Sequence, residues 1–310
     1  MSLQSNHDLL ADAQQFLQMG QLDRAIDLLC QLLGRDPNHA VAHAMLALAL
    51  VEQGRLHAAR HEASLALSQA PNEPFCLYAA ANVAMVRLEF RIAHEFLDNA
   101  LALEPENPHF LAARGRLGIL EQRWPEAQEA FEAALAIEPD LIDALVGLST
   151  VFWRSGAAAR AELVVREALR LEPANPEALV QMGWLHLGRG EAQEARDHAL
   201  WVLQQDATDD GALTLLTAIK ARESRLLGFW WRFNSWMMHK GGVAQITILV
   251  GLYLVVQFAR TMLQQNGMEG YSGSLSLIWL GFCIYTWVGP AMFENQLKKE
   301  LEKVRLQPNF

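Results

Sequence analysis

Five prolines stand 34 residues apart in this chain, at Pro37, Pro71, Pro105, Pro139 and Pro173. Six alanines keep the same step, at Ala25, Ala59, Ala93, Ala127, Ala161 and Ala195. A single globular core has no reason to hold such a register, so the period means one supersecondary unit copied in tandem. The alanine sits inside an apolar helical pattern, and the proline follows twelve residues later. A small residue lets two helices approach closely. Proline ends the second helix, because it lacks an N–H and its ring clashes with the preceding turn. The unit is a helix pair.

With repeat one taken as Asn6–His39, five further copies run through Asp209. Each reads as helix A, a turn, helix B and a short link. Gly20, Gly54 and Gly156 occupy the turn, where a tight reversal requires positive φ. Leu88 and Gln122 stand at the same place in repeats three and four. The links DPN, APN, EPEN, EPD and EPAN place an acid, Asn or Pro where the next helix begins. Gly115 and Gly118 fall inside helix A of repeat four. They signal either close approach of neighbouring helices or a recess in the inner face, at roughly 0.5–1 kcal/mol of helix propensity each. Repeat six ends in Ala207, and Asp210–Arg225 reads as a capping helix with Leu213, Leu216 and Ile219 turned inward.

The period and residue types resemble the tetratricopeptide repeat (TPR) family over about two thirds of the chain. The resemblance implies an all-α solenoid of six helical hairpins plus a capping helix, spanning residues 1–225. It also implies that A helices line a concave groove for a peptide or protein ligand, with contacts at fixed positions of each repeat. Carried over by register, those positions hold Phe75, Tyr78, Asn82, Met85, Arg116, Trp153, Arg154 and Trp184. Asn82 has the donor and the acceptor to bond an extended backbone, and Arg116 and Arg154 suit a carboxylate. No lysine precedes Lys220, so the lysine-lined groove of the chaperone-tail-binding relatives is not expected.

Charge excludes other classes of partner. Residues 1–219 carry 15 arginines, no lysine and 30 acidic residues, an unsuitable surface for nucleic acid. The histidine pairs His39/His43 and His57/His61 have i, i+4 spacing but no third ligand at matching spacing. They are expected to be solvated, and no metal site follows. Cys30 and Cys76 read as packed helix residues, and Cys283 lies in an apolar run, which suits a reducing compartment. No nucleophile–base order, phosphate-cradling loop or carboxylate dyad can be placed on the helices, so neither enzyme activity nor a cofactor is expected.

The remaining residues change character. Residues 220–310 hold 5 lysines and 5 arginines against 5 glutamates, around two apolar runs. Val243–Leu263 and Leu275–Phe293 are each close to the ~20 residues that cross a bilayer core. The glycine-rich turn 264–274 between them makes an antiparallel transmembrane hairpin. Residues 226–242 form a juxtamembrane linker, with Trp230, Trp231, Arg232, Trp236 and Lys240 at the lipid interface. Basic residues before the first run and in the tail 294–310 place both chain ends in the cytoplasm, in a multi-pass protein of a bacterial inner membrane. The start MSLQSNHDLL lacks the features of a secretory signal. Such a chain is expected to be an adaptor that recruits a partner near the bilayer, or an integral subunit whose hairpin packs on other transmembrane subunits.

Overall fold

The computed structural model describes residues 5–223 together with positions 253, 256–258, 261 and 262, all six of them helical. Thirteen helices occupy residues 5–223: α1 (Asn6–Gln18), α2 (Leu22–Arg35), α3 (Ala40–Glu52), α4 (Leu56–Gln69), α5 (Pro74–Val86), α6 (Phe90–Leu103), α7 (Pro108–Leu120), α8 (Trp124–Ile137), α9 (Ile142–Arg154), α10 (Ala158–Leu171), α11 (Pro176–Arg189), α12 (Ala192–Gln205) and α13 (Asp210–Glu223). Among the described residues no helix is long and apolar enough to cross a membrane. The linker 226–242 with its five interfacial candidates, the turn 264–274, the second run 275–293 and the tail 294–310 lie outside the described residues. So does the first run, 243–263, apart from the six positions named.

The chain divides into two compact units, Met1–Ala178 and Leu179–Phe310. In the first, odd-numbered A helices pack on the B helix that follows and on the next A helix. The periodic alanines Ala25, Ala59, Ala93, Ala127 and Ala161 are fully buried there. They are the small residues that let the paired helices close. In the second unit Ala195 is likewise buried, and α13 packs on α12.

The A-to-B turn is the same in every repeat. Gly20, Gly54, Leu88, Gln122, Gly156 and Gly190 all have positive φ, between 59° and 88°. The next residue's N–H bonds back to the A helix, as in Gln21 to the Phe16 carbonyl (2.9 Å) and Arg123 to the Gly118 carbonyl (2.8 Å). Backbone bonds alone therefore satisfy the helix end, and the turn survives the loss of glycine at Leu88 and Gln122. The other end of each hairpin is fixed by the chain entering the next A helix. Ser5, Asn107, Asn175 and Asp209 accept backbone N–H bonds there, and Pro74, Pro108 and Pro176 begin helices where a missing N–H costs nothing. Asp206 keeps the extended backbone that precedes proline elsewhere, although Ala207 follows it.

Three expectations are corrected. Cys30 is exposed, and only Cys76 of the two is packed. His43 is 6% exposed, not solvated: one ring nitrogen lies 2.7 Å from Glu62 Oε2 and the other 2.9 Å from the Pro37 carbonyl. His39 caps α3 through Nδ1, which accepts from the Ala42 N–H, so this pair serves the hairpin rather than a metal. The inward face of α13 is Ala212, Leu215, Leu216 and Ile219, with Leu213 only half-buried. Gly183 on α11 gives the reason, since Leu215 Cδ2 occupies the space of its missing Cβ, 2.4 Å from where that atom would stand.

Candidate functional site

Side chains that project from successive A helices of the first unit meet around Arg116. Its α7 position lies one period after Asn82 on α5 and two after Leu48 on α3. Nη2 donates to Asn82 Oδ1 (3.0 Å) and Tyr78 Oη (3.3 Å), and Nη1 approaches Asp143 Oδ2 at 3.5 Å. Asn82 is itself oriented, because its amide donates to the Tyr78 carbonyl at 2.8 Å. Burial in the groove pulls the Arg116 pKa down, but the charges and bonds of Tyr78, Asp143 and Glu177 more than offset it and leave it above the ordinary value. Arg116 stays charged.

Two cavities flank this junction. One, of about 490 Å³, is lined by Leu48, Val51, Met85, Val86, Ile119 and Leu120 with Glu52, Tyr78, Asn82, Arg116, Asp143 and Glu177. The other, of about 480 Å³, is bounded by Leu10, Gln14, Leu17, Val41, Met45, Phe75 and Phe110, with Glu73, Glu104, Asn107 and His109. Leu48 and Tyr78 belong to both, so the two are compartments of one groove. Tyr78 is held as the partition by stacking on Phe110 (5.3 Å between ring centres) and by a tilted contact with Phe75 at 6.1 Å. Val86 and Leu120, 47% and 46% exposed, leave aliphatic surface open along the cavity. Loss of solvent raises the Glu52 carboxyl above its ordinary range; Asp143 raises it further and Arg116 partly offsets this.

Of the residues expected from sequence, Phe75, Tyr78, Asn82, Met85 and Arg116 line this groove. Met85 reaches its floor from the core, packed with Ala81, Ala84 and Leu97. Trp153 and Arg154 line neither cavity. They pair at the end of α9, with the guanidinium 5.0 Å from the indole centre. Trp184 is half-buried on α11 within the second unit. Sequence reasoning overlooked repeats one and two, whose Leu10, Gln14, Leu17, Val41, Leu48, Val51 and Glu52 also line the walls. The same register, extended backwards, finds all seven.

Paired antiparallel helices stacked at a constant period define a helical-repeat protein. Within that class, residues 16–82 and 78–142 match two family models, each described as tetratricopeptide repeat. Residues 16–142 carry tetratricopeptide repeats. Among solved structures it is similar to the APC/C hetero-tetramer Cut9–Hcn1 (16% identity, TM-score 0.57), matched over 69% of this chain and 43% of that one. It is similar also to a tetratricopeptide repeat protein from Parabacteroides merdae (18% identity, TM-score 0.50), over 79% of this chain and 97% of that one. A third, Pseudomonas aeruginosa pilF, is 18% identical with TM-score 0.47, over 67% and 94% of the two chains. The first two share the all-α repeat fold. No curated protein matches the chain. Among the described residues no group of three or more His, Cys, Asp or Glu is placed to hold a metal ion.

Proposed function

We propose that this chain is a non-enzymatic adaptor, whose A-helix groove holds an extended peptide or protein segment while the C-terminal part anchors it in a membrane. The observation that carries the groove reading is the junction of Arg116, Tyr78 and Asn82 between two cavities. Apolar compartments with a few convergent, pre-oriented polar groups suit a peptide whose side chains enter the pockets and whose backbone meets the floor. The anchor rests on the apolar runs Val243–Leu263 and Leu275–Phe293 and on the flanking basic residues, which favour a groove on the cytoplasmic side of a bacterial inner membrane. A second reading, an integral subunit of a membrane complex, draws on Gly281 and Gly289. These fall eight residues apart on nearly one helix face, and small residues so placed allow close helix packing.

Photocrosslinking of the full chain in its native cell tests the groove. A photoreactive residue at Val86 or Leu120 should give a discrete adduct, and one at Leu163, 68% exposed outside both cavities, should not. Asn82→Ala with Arg116→Ala should weaken that adduct about tenfold or more, as expected for loss of charge-assisted bonds of roughly 1.5–3 kcal/mol. Adducts from Leu163 alone would put the site elsewhere.

A further inference from the structure

The groove carries a charge pattern that the sequence reading, with Arg116 as a carboxylate receptor, does not contain. Arg116 is the single lysine or arginine among the residues lining the two cavities, and its guanidinium already faces Asp143, Asn82 and Tyr78. A carboxylate arriving there would share the guanidinium with Asp143 and meet its like charge. Around it the walls hold Glu52, Asp143 and Glu177 in one compartment and Glu73 and Glu104 in the other. Aliphatic side chains line the same two compartments. Against these five acids the lining holds one guanidinium.

We infer that the ligand of this groove is a cationic extended segment of a partner protein, with lysine or arginine side chains at the acidic walls and aliphatic side chains in the two compartments. The inference rests on the peptide-groove reading above and adds the sign of the ligand's charge. A cation between Glu52 and Asp143 offsets the loss of solvent and the Asp143 repulsion that together raise the Glu52 carboxyl, and apolar walls strengthen its attraction. Complementary charge selects among peptides with similar apolar anchors, because a like charge at the same walls is repelled.

Three fluorescein-labelled peptides of equal length, alternating leucine with lysine, glutamine or glutamate, test this against the purified full chain by anisotropy. The lysine peptide should bind most tightly, about tenfold better than the glutamine peptide, with the glutamate peptide weakest. Glu52→Gln with Asp143→Asn should erase most of that preference. Glu129→Gln with Glu132→Gln, exposed acids on α8, should leave it intact. Equal loss from both double variants would overturn the inference, since binding would then follow bulk charge. Equal affinity for the three peptides, abolished by Leu48→Asp, would keep the groove reading and remove the charge preference. Tightest binding of the glutamate peptide would make Arg116 the anchor instead, and no binding of any peptide would reject both readings.

Discussion

Leu88 and Gln122 occupy left-handed backbone, with φ of 59° and 61°, where four of their period mates are glycine. For an L-residue that conformation costs roughly 1–2 kcal/mol. Replacement by glycine removes the cost but enlarges the unfolded ensemble, by about 0.4–1 kcal/mol. Leu88 is mostly exposed, so little burial is lost. Leu88→Gly and Gln122→Gly should each stabilise the chain by about 0.5–1 kcal/mol, seen as a higher urea midpoint at unchanged slope. Gly54→Ala, at φ 71°, should lower the midpoint. The sequence marks 88 and 122 as departures from glycine. It does not show that the backbone holds the turn regardless, because the restoring bonds run between main-chain groups common to every residue. His43 was misjudged for a related reason. Its partners Glu62 and the Pro37 carbonyl come together only once the hairpin has closed.

At the scale of elements, α8 enters the space between α7 and α9 with one phenyl ring. A Cβ built on Gly115 would stand 2.7 Å from Phe131, and one on Gly147 would stand 2.3 Å from it. On Gly118 it would meet the α8 backbone at Ala127, 3.2 Å away. The helical glycines thus serve close approach, and no recess is needed to explain them. Two effects compete in Gly147→Ala. Alanine gains about 1 kcal/mol of helix propensity, whereas overpacking against a fully buried ring typically costs 1–3 kcal/mol. Since the clash is with the body of the ring, the variant should melt lower than the parent. Phe131→Leu in the same chain should recover part of the loss, and a Gly147→Ala variant melting higher would show that the ring can move aside. Helix order and register were legible because burial in a repeat follows the period. The facing of α13 was not, since α13 follows the last repeat and which leucine turns inward depends on the space left by Gly183.

The whole molecule joins an acidic repeat array to a basic, apolar C-terminal part. The proposed arrangement, with both chain ends in the cytoplasm, predicts a labelling pattern in intact cells. In a cysteine-free background, single cysteines at Ser5, Ser272 and Asn309 should differ, with Ser272 alone reacting with a membrane-impermeant reagent. Reaction at Asn309 without Ser272 would reject the hairpin. The repeat register also made part of the groove legible, through Phe75, Tyr78, Asn82, Met85 and Arg116. The mutual engagement of those side chains was not legible, because it depends on distances across three helices that no one repeat encodes. That engagement bears on kinetics. Arg116 ties α5 to α7 and reaches α9, so the groove floor is ordered before any ligand arrives. Little freedom is then lost by the receptor on docking, and the loss falls mainly on the peptide. Peptides of one length and one charge should therefore associate at similar rates, and the groove should distinguish them by how long each stays.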